Sequence, residues 1–277
     1  MKKKLIIFLS LIIIAFICFA AITMIRTKYS EDVILNQTNN VFDGTIDNKP
    51  ARMMIYRNGN RLTAYYILKN DQTEYILTGS YNRITRQFKL SDSDKTIMLS
   101  GTIHPDTESG DHYILAGNYY YAGSDMESDF NLIPAWGLGG EGKDSIYQDL
   151  GYDTAQVEEF TDHVIELVRT DDKQRLSQLM SYPLSVVVEG EPILLNNEQE
   201  FLTRYDDVMT ADFKSSIVNS FNRYLWGNYN GIQLGDNGRG FLFYKGSEDE
   251  DMKIISISNN SPDFSYPSNE DNGITQG

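Results

Sequence analysis

The sequence predicts an α+β protein in which an N-terminal transmembrane helix precedes two folded domains. Three observations support this prediction: residues 5–25 carry no charge, residues 41–132 alternate apolar and polar side chains, and residues 150–258 combine helical spacing with short strands. Alternation is typical of half-buried strands, and a spacing of three or four residues is typical of amphipathic helices. The predicted segments are a membrane anchor (1–28), an all-β meander domain (29–133), a Gly-rich linker (134–149), an α+β domain with a curved antiparallel sheet (150–258) and a disordered tail (259–277).

Composition limits the possible functions. The 277 residues include 24 Lys and Arg against 39 Asp and Glu, which gives a net charge of −15. This charge argues against a nucleic-acid partner, because nucleic-acid binding needs clustered cations that displace counterions. One cysteine excludes an internal disulfide, and three histidines leave little for a His-rich metal site. No metal and no cofactor are therefore predicted.

The apolar stretch at residues 5–25 predicts an uncleaved signal anchor. A helix of this length spans about 30 Å, the thickness of a bilayer core, whereas the apolar part of a secretory signal has only about 7–15 residues. Lys2, Lys3 and Lys4 precede it, so the N-terminus is expected inside the cell and the C-terminal body outside. The lipid bilayer is thus the first predicted partner.

Two alternatives for this segment stay open. A signal peptidase could cut after Ala20, because Cys18-Phe19-Ala20 is a small-x-small sequence, or Cys18 could be lipidated after cleavage. Residues 15–17 match a lipobox poorly. This favours Cys18 as an apolar residue of a membrane helix.

The second segment predicts short antiparallel strands. Asn58-Gly59 is a hairpin signal between two Tyr-rich runs. The pattern apolar-x-Gly-x-apolar occurs at Gly44, Gly79, Gly101 and Gly117. Because glycine in mid-strand marks a bulge or a close backbone approach, we expect a twisted meander that closes toward a barrel or a curled sheet. The pattern resembles Gly/Tyr-rich β modules of exported bacterial proteins of unknown function.

Aromatic side chains provide the candidate binding residues. Tyr119 and Tyr121 share one face of a predicted strand, where they would form an aromatic platform for glycans or simply cover a small barrel. The two tryptophans of the chain are the other candidates. The predicted binding residues are Tyr119, Tyr121, Trp136 and Trp226.

The predicted linker contains an incomplete phosphate-binding motif. Gly137, Gly139 and Gly142 fit Gly-x-Gly-x-x-Gly, but Asp144 stands where a phosphate loop needs Ser or Thr after Lys143. Both motifs also need a buried parallel strand before them, and the preceding run is short and ends in proline. The glycines therefore indicate a flexible linker.

The third segment predicts helices first and strands afterwards. Asp153 is a good N-cap for a helix with an apolar stripe, Tyr182-Pro183 ends a second helix, and Asn197 with Glu200 has the spacing of a capping box. The predicted strands are 184–189, 193–195, 231–234, 240–244 and 253–257, with a tight turn at Asn237-Gly238.

This order of elements resembles the NTF2-like family, a cystatin-like α+β cone. The resemblance rests on the long first helix, on residues 176–184, on the helix start at 197–201 and on the Tyr205-Asp206 pair. Residues 228–231 and the glycines at 235 and 238 match as well. The family includes isomerases, dehydratases and non-enzymatic binding modules, and its catalytic members place Asp, Tyr or His inside the cone. The resemblance therefore makes His163, Tyr205 and Asp206 weak catalytic candidates.

No complete catalytic set stands out, so the sequence favours a non-catalytic binding or assembly role at the bacterial cell envelope. The expected partners are the lipid bilayer through residues 5–25 and an envelope protein or glycan; the sequence assigns no oligomeric state. The alternative is a small-ligand carrier or an isomerase- or dehydratase-like enzyme that uses the cone cavity. A cavity with two or more convergent polar groups favours the alternative, whereas one filled by Phe, Leu and Tyr favours the binding module.

Overall fold

The computed structural model describes residues 35, 38–69, 71, 73–105, 113–124, 127–236, 238–246 and 250–260. The predicted anchor with Cys18, and residues 261–277 of the predicted tail, lie outside these residues. In the part of the chain that is described, none of the helices is both long and apolar enough to cross a membrane.

The N-terminal unit is a closed antiparallel barrel of eight strands in sequence order, in which the last strand pairs with the first. Its strands are β1 (Asn39–Ile46), β2 (Lys49–Asn58), β3 (Arg61–Leu68), β4 (Glu74–Asn82), β5 (Gln87–Ser91), β6 (Ile97–Pro105), β7 (Tyr113–Tyr121) and β8 (Ser128–Leu138). Alternate side chains fill the interior; on β2, Met53 and Ile55 belong to the barrel core, while Met54 belongs to a second core outside the barrel.

The repeated glycines lie where strands approach each other closely. A Cβ atom on Gly79 would overlap the backbone oxygen of Lys89, and one on Gly101 would overlap that of Ala116. Gly101 also pairs directly with Gly117 across β6 and β7. These positions exclude any side chain, and this allows a tightly coiled meander to close at the β1–β8 seam.

Gly79→Ala is expected to lower the free energy of unfolding by about 1–3 kcal/mol, because the added methyl group forces the backbones of β4 and β5 apart. Gly137→Ala is the matched control: Gly137 also lies in a strand, but its Cβ would meet nothing closer than 4.0 Å. The control should change stability by less than about 0.5 kcal/mol. Urea denaturation measures the free energy of unfolding of both variants. Equal losses in the two variants would contradict the close approach of β4 and β5 at Gly79.

The C-terminal unit is a six-stranded sheet with order β10-β9-β14-β13-β12-β11, preceded and interrupted by helices. Its elements are α1 (Thr154–Arg169), α2 (Lys173–Gln178), β9 (Met180–Val188), β10 (Glu191–Leu195), α3 (Glu198–Thr203), α4 (Tyr205–Val208), α5 (Ala211–Val218), β11 (Gly227–Asn228), β12 (Gly231–Leu234), β13 (Gly240–Tyr244) and β14 (Lys253–Asn259). Asp153 caps α1 by accepting a hydrogen bond from the Gln156 backbone at 3.0 Å.

One apolar core joins the two units. Val41, Met54 and Leu138 on the outer face of the barrel belong to the same buried cluster as Val164 of α1 and Phe241 of β13. Tyr65 and Trp136 of the barrel pack against this cluster as well. The barrel and the sheet therefore share buried surface that neither could cover alone.

The predicted linker is held in place by this arrangement. Residues 134–138 are the end of β8, because they pair with β1, and two 3-10 turns follow (Lys143–Ser145 and Gln148–Leu150). The Asn39 amide donates to the backbone oxygens of Gly139 and Gly142 at 2.8 and 3.0 Å. The glycines at 139–142 thus form a loop that is tied to the barrel.

The prediction of an α+β fold with an antiparallel second sheet is wrong. The protein is mostly β, with 48% of the described residues in strands, and β9 runs parallel to β14. The helices after Asn197 are broken into the short α3, α4 and α5. Residues 180–183, expected to end a helix, instead begin β9. Met180 pairs there with Ile254, so strand pairing extends β9 beyond what local sequence indicates.

Candidate functional site

The best candidate site is a cavity of about 420 Å³ at the seam between the barrel and the second sheet. Both units contribute to its lining. The barrel supplies Asp43, Arg52 and Trp136, and the second unit supplies Phe221, Trp226, Gln233, Gly235, Asp236 and Gly238. Its size and its mixture of aromatic and polar groups are typical of small-molecule sites.

Strand register places the charged pair of this cavity. Asp43 on β1 lies directly opposite Arg52 on β2, on the outer face of the barrel. The Arg52 guanidinium donates from Nε and Nη2 to the two carboxylate oxygens of Asp43, at 2.7 and 2.8 Å. Two parallel charge-assisted bonds fix both side chains, because the planar guanidinium matches the carboxylate.

Arg52 is also enclosed by aromatic rings. Its guanidinium carbon lies 4.5 Å from the ring centroid of Trp136 and 4.5 Å from that of Phe221, and the side chain is only 3% exposed. A cation over an aromatic face is attracted by the ring quadrupole. Arg52 therefore lies between a ring of the barrel and a ring of the second unit, and it covers one face of each ring.

The turn between β12 and β13 forms the opposite wall. Asp236 in this turn accepts a hydrogen bond from Lys69 Nζ at 3.2 Å and lies 3.9 Å from Arg52 Nη2. Gly235 has a φ of +127°, a conformation that favours glycine. Arg52 of β2 and Lys69, the residue after β3, thus hold this turn against the barrel.

Trp226 is the exposed aromatic residue of the site, with 38% of its surface accessible. It immediately precedes β11, and its backbone oxygen accepts a hydrogen bond from the Gln233 backbone at 2.9 Å. Within the described residues, no ring and no cation stacks on Trp226, and the Gln233 amide makes no side-chain hydrogen bond. Both side chains are therefore available to a ligand.

A second cavity of about 330 Å³ adjoins the first. The two share Trp226, Gln233 and Gly238. The remaining lining of the second cavity consists of Asn228, Asn230, Gly240, Phe241, Leu242, Ser256 and Ser258, none of which ionises. We refer to the two adjoining cavities together as the seam groove.

The structure brings together two of the four predicted binding residues, Trp136 and Trp226, in the seam groove. Tyr119 and Tyr121 lie apart from it on β7: Tyr119 packs against the barrel core, and Tyr121 is exposed. The alternation of side chains along a strand predicted that both tyrosines share one face. It could not predict how far they lie from the two tryptophans.

The weak catalytic candidates do not converge in the structure. His163 is exposed on α1 and lines a separate hollow with Lys245 and Lys253. Tyr205 is buried, and its hydroxyl donates to Asp171 at 2.7 Å. Burial and this bond raise the pKa of Tyr205, while bonds from Lys214 and Tyr205 lower the pKa of Asp171. Asp206 is exposed on α4.

A polar cluster elsewhere on the seam was not predicted. Glu74 on β4 accepts hydrogen bonds from Lys143 Nζ at 2.7 Å and from the Tyr224 hydroxyl. Glu158 on α1 lies 3.6 Å from Lys143 and 3.3 Å from Arg223. Burial raises the pKa of Glu158, although these two cations oppose that effect, and burial with the Glu74 bond raises the pKa of Tyr224. The cluster links β4, the glycine loop and α1.

Five further lining residues of the cavity were not predicted from the sequence: Asp43, Arg52, Phe221, Gln233 and Asp236. Only Arg52 carried a signal that could have been used. It shares a strand face with the buried Met54, in a run that is otherwise apolar, and a charge in such a position needs a partner across the sheet.

Comparisons with family models, with curated proteins and with solved structures find no match to this chain. They neither support nor oppose the resemblance to NTF2-like proteins.

Proposed function

We propose that this protein is a non-catalytic binding protein of the bacterial cell envelope and that the seam groove is its binding site. In this proposal residues 5–25 anchor the chain in the membrane, and the body lies outside the cell. The observation that carries the proposal is the convergence of Trp136 and Trp226, distant in sequence, on one open cavity. The same cavity holds the Gln233 amide, which makes no side-chain hydrogen bond to any described residue.

The packing of the second unit supports binding over the enzyme or carrier alternative. Aromatic side chains fill the region between the helices and the sheet: Phe160 of α1 meets Phe243 edge to face at 4.9 Å, and Phe213 of α5 meets Phe241 at 5.6 Å. Aromatic filling of this kind was the expectation for a binding module.

Trp226→Ala is expected to weaken binding to purified bacterial cell walls by at least about tenfold, since exposed tryptophans at the centre of a site contribute a large share of binding energy. The assay is co-sedimentation of the full-length chain, purified in detergent, with insoluble cell-wall material. The matched control is Tyr244→Ala, because Tyr244 has nearly the same exposure, 39%, and lies on β13 outside the groove.

The wild-type and Tyr244→Ala proteins should sediment alike, and all three should melt at similar temperatures because both aromatic residues are exposed. Co-sedimentation of the Trp226→Ala protein at the wild-type level would refute the seam groove as the binding site.

A further inference from the structure

We propose that the seam groove binds an uncharged oligosaccharide longer than one sugar ring, with Trp226 as its stacking platform. This inference rests on the proposed function and specifies the ligand. It follows from the two adjoining cavities of the groove, from an aromatic ring that no described ring or cation covers, from the hydrogen-bonding groups of the lining and from the balance of charge.

The groove consists of two adjoining cavities. Its two cavities, of about 420 and 330 Å³, meet at Trp226 and Gln233. Each cavity alone is within the size range of small-molecule sites. A ligand that fills both must therefore pass over Trp226, which suits a chain of linked rings better than a single ring.

Of the three aromatic rings around the first cavity, Trp226 is the one that no described cation or ring covers. Arg52 lies over both Trp136 and Phe221, so these faces are already occupied. Trp226 carries no such partner among the described residues. The indole face bears partial negative charge, and the C–H bonds on the flat face of a pyranose are weakly positive, so the two surfaces attract each other.

The polar lining offers both donors and acceptors, as sugar hydroxyls require. The Gln233 amide lies at the junction of the cavities with no side-chain hydrogen bond to any described residue. Asn228 Oδ1 accepts from the Asn230 backbone at 2.8 Å, and Ser258 Oγ donates to the Gly238 oxygen at 2.5 Å. Ser258 Oγ also accepts from the Asn260 amide at 3.3 Å. The Asn228 amide nitrogen bonds to none of the described residues and is left as a donor.

The charges of the groove cancel. Arg52 is paired with Asp43, and Asp236 is paired with Lys69. An anionic ligand would meet two carboxylates in a chain of net charge −15, and a cationic ligand would have to displace Arg52 or Lys69 from its partner. A peptide has little strand edge to pair with, because β12 and β13 pair with each other, β13 also pairs with β14, and the edge strand beside the groove, β11, is only two residues long. An uncharged, hydroxyl-rich chain meets none of these obstacles.

The chain itself provides the probe, because its only two tryptophans line the first cavity. Intrinsic fluorescence of the full-length protein in detergent is titrated with chitotetraose, cellotetraose, maltotetraose and mannotetraose, with their monosaccharides, and with charged chains (tetragalacturonate and fully deacetylated chitotetraose). We expect a saturable emission change with at least one neutral tetrasaccharide and at least about tenfold weaker binding of its monosaccharide and of both charged chains.

Gln233→Ala should weaken binding of that tetrasaccharide about tenfold, while Tyr244→Ala should leave it unchanged. Isothermal calorimetry replaces fluorescence for Trp226→Ala, in which binding should be lost. Absence of saturation with every neutral tetrasaccharide, or tighter binding of a charged chain, overturns the inference. If that result coincides with Trp226-dependent sedimentation on cell walls, only the saccharide assignment fails; if sedimentation does not depend on Trp226, the proposed function fails as well.

Discussion

Asp43→Ala is expected to lower the free energy of unfolding by about 3 kcal/mol, a large effect for a residue that is itself one-third exposed. The reason lies in its partner. Arg52 is 3% exposed, and Asp43 accepts both of its hydrogen bonds to a carboxylate. Without Asp43 the guanidinium stays buried between two rings, with Asp236 at 3.9 Å as the nearest remaining carboxylate. Urea denaturation of the wild-type and variant proteins measures this difference in the free energy of unfolding.

Two comparisons isolate the buried charge as the cause. The double variant Asp43→Ala/Arg52→Met should regain most of the loss, because an apolar side chain of similar length removes the uncompensated charge and can fill the space between the rings. Lys49→Ala breaks an exposed ion pair in the same barrel, with partners 61% and 42% exposed, and should cost less than about 1 kcal/mol. An equal loss of unfolding free energy in Asp43→Ala and Lys49→Ala would contradict the prediction, because the charge of Arg52 would then be stabilised by solvent or by Asp236 without Asp43.

The barrel was the most predictable part of the fold. Alternation placed the strands, and the four glycines indicated where strands come close, because no side chain fits at Gly79 or Gly101. Alternation left open whether the meander closes, since closure depends on β1 meeting β8 some ninety residues away, as in the pair Val41 and Trp136. Pairing between strands so far apart along the chain cannot be deduced from the pattern of either strand alone.

The second unit was less predictable because strand pairing overrode the secondary structure that the local sequence favours. The capping sequence at Asn197 does start a helix, but that helix ends after six residues, and α4 starts at Tyr205. Met180 looked like the end of a helix and became the start of a strand parallel to β14. Parallel pairing joins segments far apart in sequence, so neither the strand bounds nor its direction could be deduced from periodicity.

The candidate site was predicted only in its aromatic residues. Tryptophans are informative in any sequence, because a large amphipathic ring is often part of a binding surface. Their convergence depends on the seam, which buries Met54 of the barrel with Phe241 of the second unit. The charged residues were missed because Asp43 and Arg52 are ordinary as separate residues and become a site only when β1 and β2 place them side by side.

Phe201→Ala should produce the other large loss of stability, about 3–5 kcal/mol. Phe201 is fully buried in α3, and its ring meets Tyr205 edge to face with centroids 5.6 Å apart. Truncation removes this contact and leaves a cavity that the surrounding side chains fill only in part. Leu194→Ala is the control, because Leu194 is an apolar residue of the same unit that is 57% exposed. It should change the free energy of unfolding by less than about 0.5 kcal/mol.

The same variant tests whether the two units unfold together. Phe201 belongs to the buried cluster that contains Val41 and Met54 of the barrel, so loss of its packing should lower the melting temperature of the barrel as well as that of the second unit. Far-UV circular dichroism follows mainly the barrel, which holds eight of the fourteen strands of the described residues, and tryptophan fluorescence follows the seam, because Trp136 and Trp226 both lie there. The two probes should shift together in Phe201→Ala. A barrel signal that keeps its wild-type midpoint while the seam melts early would show that the shared core does not couple the units.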